Sequence, residues 1–187
     1  SESKMVVIAK HFPGRGSSDR LPEEEVATVR KSLEQLKLIE LEPFFAAAAI
    51  NPSDLTTTAD GFLVSHIRYQ GFQGNIRETT KPVSFDSSAL SSIMSLQQFS
   101  TWRNAGGILV SDNLGGNAIR SFFDPYNEKF DGKQIALNAF LAGNDLLYLD
   151  NFQSTGDGSE METIRNTLDF FAQKYKEDDA FAERVDE

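Results

Sequence analysis

The chain has 187 residues, of which 40% are hydrophobic and 25% charged, and carries a formal net charge of −10 at pH 7. That is enough chain to bury one substantial core, while an acid excess without clustered Lys and Arg excludes a protein that tracks nucleic-acid phosphates. Cys is absent and His occurs only at 11 and 66, so disulfides, thiolate chemistry and Cys- or His-rich metal sites are excluded. 

No apolar run approaches the roughly 20 residues that cross a bilayer, and no basic-then-apolar leader opens the sequence, so a soluble chain with no membrane partner is expected. Repeats, low-complexity tracts and linkers are not visible, and a single domain over 1–187 is the default reading.

In chain order, the apolar run MVVIAKHF (5–12) reads as the first buried strand. The glycines of Gly14-Arg15-Gly16 lack both the Gly-Lys-Ser/Thr ending of a phosphate loop and the dinucleotide pattern, and read as a loop start after Pro13. Residues 22–41 open with Pro22 and three glutamates, suited to a helix N-terminus and its dipole, and repeat apolar residues at Val26, Val29, Leu33 and Leu36. They predict an amphipathic helix. A polar loop, NPSDLTTTAD (51–60), leads to a second strand, GFLVSHIRY (61–69). A helix over 86–103 ends before Gly106-Gly107, and GILVSDNL (107–114) gives the third strand. A helix over 132–142 ends at Gly143, DLLYLDN (145–151) gives the fourth strand, and a helix over 159–175 follows.

The strands are continuous Val, Ile and Leu runs without polar alternation, as expected where both sheet faces are covered. Strand then helix, repeated, requires parallel strands and gives either an open doubly wound sheet or part of a (β/α)8 barrel. Every strand ends in polar residues: Lys10-His11, Ser65-His66, Ser111-Asp112 and Asp150-Asn151. In both folds the C-terminal strand ends carry the site. Asp112, directly after Val110-Ser111, is therefore either a site carboxylate or the cap of a helix starting within 114–118.

The segments KHFPGRGSSDRLP (10–22), VSHIRY (64–69), GGILVSDNLGGNAI (106–119) and ALNAFLAGNDLLYLDN (136–151), in that order, resemble the second half of the catalytic barrel of family 3 glycoside hydrolases, in the β-N-acetylhexosaminidase-like branch. The likeness runs from Val6 to about Val185. It implies an α/β fold of four consecutive β-α units, the second half of a (β/α)8 TIM-type barrel. It makes Asp112 the nucleophile of a retaining mechanism and places Lys10 and His11 against sugar hydroxyls. His66 matches a family histidine at the end of the next strand, as a sugar contact or as a supporting core residue. Asp145 matches a structural position.

Two departures from the pattern follow. In that branch the loop after KHFPG carries an Asp-Ser-His segment whose histidine is the acid/base; here the segment reads as shortened and the histidine is absent. Asp19, with Arg20 or Arg15 able to hold it, is the candidate replacement, and a glutamate from outside this chain is the alternative. A (β/α)8 barrel also takes about 250 residues and eight strands, so the chain is expected to be a fragment of a longer protein. Its open edges should be covered by the missing N-terminal half-barrel or by self-association.

The resemblance thus implies a retaining glycosidase acting on a β-linked carbohydrate, N-acetylglucosaminide- or glucoside-like, with no cofactor and no metal. A glycan-binding barrel that has lost its acid/base, and a glycoside phosphorylase, remain open at this stage.

Overall fold

The computed structural model describes residues 5–50 and 58–187. Most of the predicted polar loop over 51–60 therefore lies outside the described residues. The chain opens with β1 (Ile8–Phe12), and a long loop leads to β2 (Ala27–Val29). Helices α1 (Leu33–Leu38) and α2 (Glu42–Ala47) follow, then β3 (Gly61–Val64) and β4 (Ile67–Tyr69). A short helix α3 (Gln70–Gln73) and a 3-10 turn at Val83–Phe85 lead to α4 (Ser87–Met94) and α5 (Gln97–Asn104). The remainder is β5 (Ile108–Ser111), α6 (Asn117–Phe123), α7 (Gly132–Leu141), α8 (Glu160–Glu177) and α9 (Asp179–Asp186).

All strand pairs are parallel. The main sheet has the order β1-β3-β5, with Ala9 opposite Phe62 and Leu63 opposite Val110. The predicted fourth strand runs on the far side of β5 but contributes one bridge, Val110 to Leu146, rather than a full ladder. Hydrogen bonds along it hold it, among them the Ser111 amide to the Leu146 carbonyl at 2.9 Å, the Leu146 amide to the Leu109 carbonyl at 3.1 Å and the Tyr148 amide to Ser111 Oγ at 3.0 Å. A second, two-stranded sheet pairs β2 with β4. This is an α/β fold with parallel sheets.

The helix predicted over 22–41 is not there. Residues 22–25 form a turn, Val26, Ala27 and Val29 are buried in or beside β2, and only Leu33–Leu38 is helical. The local signals of proline and glutamate lose to tertiary pairing: β-branched Val26, Thr28 and Val29 suit a pleated surface, and β4 supplies the partner strand. Helix α1 instead starts at Ser32, whose hydroxyl caps Gln35 while the Gln35 side chain caps Ser32 in return. The strand predicted over 61–69 breaks at Ser65-His66, because the Ser65 amide and hydroxyl both turn to the Phe12 carbonyl, at 2.8 and 2.9 Å. The helix predicted over 86–103 breaks at Ser95-Leu96 into α4 and α5. The predictions for α7 and α8 hold to within two residues at either end.

Aromatic packing fixes the sheet against its helices. Phe12 and Phe62 stack with centroids 5.0 Å apart, Phe62 stacks on Trp102 at 4.2 Å, and Trp102 Nε1 donates to the Ala59 carbonyl at 2.7 Å. Each such ring pair adds about 1 kcal/mol beyond the area it buries. A second cluster around Leu114, Ile119, Phe130 and Phe152 seats α6 and α7 below the end of β5. Together the clusters leave little freedom at the strand tips where polar residues gather. At the sheet's outer edges apolar side chains face outward: Val6 and Val7 before β1, and Leu146 (53% exposed) and Tyr148 (46%) beyond β5.

Candidate active site

Parallel strands bring their C-terminal ends to one side, and there the ends of β1, β3 and β5 border a cleft of about 140 Å³ lined by His11, Arg15, Glu23, His66, Asp112 and Asn113 among others. Asp112 follows the last residue of β5. Its amide donates to the Val64 carbonyl at 3.0 Å, continuing the β3–β5 ladder by one rung, so its position is set by the sheet. One carboxylate oxygen, Oδ1, accepts from the Asn113 amide at 2.8 Å, and Oδ2 faces His11 Nε2 at 4.0 Å. The helix-capping alternative fails: the N-cap of α6 is Gly116, which receives no side-chain bond. The carboxylate is thus not spent on the helix.

The turn that carries Asp112 is held from below. Asn113 Oδ1 accepts from the amides of Gly115 and Asp150, at 3.0 and 3.2 Å. Glycine is required at 115, where a Cβ would fall 2.2 Å from the Asp150 carbonyl oxygen. His66 supports the same turn from the side. Its Nε2 donates to the Asn113 carbonyl at 3.0 Å, leaving Nδ1 to accept from the Ser84 hydroxyl at 2.7 Å. Burial drives the His66 imidazole below its ordinary pKa, with the negative charge of Asp112 and the bond to Asn113 opposing it only in part. Both ring nitrogens are occupied by the protein, so His66 forms a wall of the cleft.

His11 is the more open of the two histidines. Burial lowers its pKa as well; Asp112 pulls it back up, and Arg15 and Lys10 push it down. A neutral imidazole 4.0 Å from a carboxylate offers a hydrogen-bond donor or acceptor to a third molecule between them. Lys10, one residue back on the pleat, is exposed and lines a neighbouring groove with Gly14, Glu40 and Phe44 instead of the Asp112 cleft.

Asp19 does not join these residues. Its Oδ1 accepts from the Thr28 amide at 2.8 Å, and its own amide donates to the Thr28 carbonyl at 3.1 Å. Arg20 Nε lies 3.4 Å from the same carboxylate oxygen. Asp19 staples the ends of the loop 19–28 together and faces a separate cleft of about 670 Å³ with Arg20, Glu25 and Arg68. Arg15, the other residue expected to hold it, pairs with Glu23 instead. Asp145, expected to be structural, accepts from the Leu109 amide at 2.7 Å and pairs with Arg103 and Arg184. Burial raises its pKa, but the Arg103 bond and the Leu109 amide outweigh that and leave it lowered. Among the described residues no cluster of three or more His, Asp or Glu could hold a metal ion.

Residues 1–185 match the family described as glycosyl hydrolase family 3 N terminal domain. The chain belongs to glycosyl hydrolase family 3. Solved structures share the fold at low identity. A glycoside hydrolase family 3 beta-N-acetylglucosaminidase from Paenibacillus sp. str. FPU-7 superposes with a TM-score of 0.68 at 21% identity, over 96% of this chain and 29% of that one. A beta-N-acetylhexosaminidase from Beutenbergia cavernae gives 0.65 at 16% identity, over 96% and 43%. The beta-glucoside phosphorylase BglX gives 0.66 at 14% identity, over 96% and 28%. The family 3 chain described here therefore spans less than half the length of each of these structures. No curated protein matches it.

Within this family 3 chain, sequence reasoning missed Glu23 and Asn113 as cleft residues. In the sequence, Glu23 follows Pro22 and reads as part of a helix start. The signal that could have found it was the β-branched run immediately after the three glutamates, which argues for a turn before a strand. No helix among the described residues is long and apolar enough to cross a membrane.

Proposed function

We propose that this family 3 chain supplies the nucleophile side of a retaining β-glycosidase, with Asp112 attacking the anomeric carbon. The observation that carries the reading is the placement of Asp112: held by the β3–β5 ladder, accessible in a cleft, and released from any capping role. A retaining mechanism needs one carboxylate fixed beneath the sugar plane, so that the covalent glycosyl-enzyme forms without the nucleophile having to search for its position. His11, across the cleft at 4.0 Å, suits a hydroxyl of the bound sugar, and Lys10 would reach it only from the adjoining groove. His66 is assigned to positioning the Asp112 turn.

The substrate class in this reading is a β-linked N-acetylglucosaminide or glucoside. In support, the similar structures are named as acting on such sugars. The phosphorylase reading is kept beside hydrolysis because one of those similar structures is named a beta-glucoside phosphorylase. A glycan-binding barrel without turnover is the third reading.

We further infer that the four parallel segments are half of a (β/α)8 barrel within a longer chain. The outward apolar side chains at both sheet edges support this, since an edge of that kind needs a cover. The cover is the N-terminal half-barrel or a second copy.

The test is a panel of aryl β-glycosides incubated with the full-length protein, with and without phosphate, following the first product by NMR. A β-configured sugar, independent of phosphate, is the expected result. A sugar 1-phosphate formed only with phosphate moves the assignment to a phosphorylase. Binding without turnover across the panel moves it to the glycan-binding reading.

A further inference from the structure

Three consecutive glutamates leave the turn at 22–25 in three directions. Glu24 Oε2 accepts from Asn117 Nδ2 at 3.1 Å, which ties the turn to the first residue of α6. Glu25 pairs with Arg20 at 2.6 Å and faces the larger neighbouring cleft. Glu23, with a side chain 59% exposed, lines the rim of the Asp112 cleft and pairs there with Arg15, which lines the same cleft. The loop that presents it is closed at its base by Asp19 on Thr28. Its other end starts at Gly14, where the φ of +117° disfavours any side chain and a Cβ would fall 2.8 Å from Glu40 Cβ. A loop pinned at 14, at 19–28 and on Asn117 fixes where its residues meet the rim of the cleft.

The geometry points to Glu23 as the acid/base partner of Asp112, with Arg15 as its positioning residue; the inference rests on the glycosidase reading above. Two carboxylates on one cleft are what glycoside hydrolysis requires; Asp19 faces another cleft, and Glu23 is the carboxylate that lines this one beside Asp112. In the first step the Glu23 carboxyl proton passes to the glycosidic oxygen as its bond to the anomeric carbon breaks, and Asp112 forms the new bond to that carbon. The aglycone departs as an alcohol. In the second step water gives its proton to the Glu23 carboxylate and attacks the anomeric carbon, the Asp112 ester bond breaks, and both carboxyl groups return to their starting forms.

Glu23's own amide and the Arg15 guanidinium hold its carboxyl below the usual carboxylate range. That state suits the second, base-catalysed step. The first step draws on the protonated fraction, so the basic limb of the rate profile lies on the acid side of neutrality.

The experiment compares wild type, Glu23→Ala, Glu23→Gln, Asp19→Asn and Arg15→Ala forms of the full-length protein on β-glycosides with alkyl and 2,4-dinitrophenyl leaving groups. Reaction of each form with a fluorinated glycosyl fluoride at Asp112 serves as the check that the cleft is intact. Glu23→Ala should lose about a hundred- to ten-thousand-fold in kcat/KM on alkyl glycosides. It should lose far less on the dinitrophenyl glycoside, and azide should restore turnover as a β-glycosyl azide. Glu23→Gln should lose the basic limb, Arg15→Ala should move that limb to higher pH, and Asp19→Asn should keep the wild-type leaving-group dependence. An equal loss by Glu23→Ala on both leaving groups with Asp112 still labelled, no loss at all, or azide rescue of Asp19→Asn instead would each overturn the assignment. If Glu23→Ala does not fold, the pH profile of Glu23→Gln decides it. Absence of turnover and of Asp112 labelling in the wild type sinks the glycosidase reading itself, and this assignment falls with it.

Discussion

Nε2 of His11 lies 4.0 Å from Oδ2 of Asp112, beyond hydrogen-bond reach but within the range where each charge is felt by the other. Both histidines sit near this carboxylate, and in both burial is the larger effect. Titration of the two imidazoles by NMR should therefore place both pKa values below the ordinary 6.5. Asp112→Asn removes a group that raises both, so each should move further down. A value above 6.5 for either in the wild type contradicts the electrostatic description of the cleft.

The same shifts set a pH dependence of stability. A histidine whose folded pKa is lowered is neutral in the fold and binds protons more readily when unfolded. Its contribution is then complete above the unfolded pKa and is lost as pH falls below about 6.5. Thermal midpoints measured between pH 8 and pH 5 should fall on the acid side, and His66→Gln should flatten that fall. An unchanged slope would mean that other groups carry it.

Ser84→Ala removes the donor to His66 Nδ1 inside the fold. A buried acceptor left unpaired costs about 1–3 kcal/mol. Denaturant unfolding should show a loss of that order, and turnover should fall with it because His66 supports the turn carrying Asp112. Wild-type turnover with full stability loss would confine His66 to the core.

What the sequence made legible was the set of features written in local chemistry. The apolar run 107–114 contains β5, Gly143 follows the end of α7, and the acid after Ser111 reaches the cleft. What it hid depended on distant partners. Val26 to Val29 become strand only because β4 lies beside them, and Ser65 ends β3 because it turns to the Phe12 carbonyl. Glu23 was hidden for the same reason, since a glutamate after proline looks the same at a helix start and over a cleft. The pairing of Arg15 with Glu23 rather than Asp19 is a long-loop contact with no periodic signature.

Asp145 joins three elements, accepting from the β5 amide of Leu109 and pairing with Arg103 at the end of α5 and Arg184 in α9. Asp145→Ala should cost about 2 kcal/mol, a hydrogen-bonded charge at a partly buried site. Because its pKa is lowered in the fold, that stability is present above the unfolded carboxylate value of about 3.9 and is lost as pH falls through the folded one. Urea melts at pH 7 and pH 3 should show a wild-type advantage over the variant that shrinks in acid. An advantage that grows in acid contradicts the clamp.

Gly14→Ala places a Cβ 2.8 Å from Glu40 Cβ and 2.9 Å from the Glu40 carbonyl oxygen, at a φ of +117°. Strain of this kind costs about 1–3 kcal/mol. The loop carrying Arg15 and Glu23 should shift, so kcat/KM should fall more than the thermal midpoint alone explains. Equal behaviour to wild type in both would show that the loop start is not fixed by Glu40.

Asp112 as the nucleophile is tested most directly by peptide mass spectrometry after the full-length protein reacts with a set of fluorinated glycosyl fluorides. Fluoride departs without an acid, so the reaction reports the nucleophile independently of Glu23. A single glycosyl adduct on the peptide containing Asp112, absent in Asp112→Asn, is the expected result. An adduct on another carboxylate, or none from any sugar on the folded protein, would contradict it.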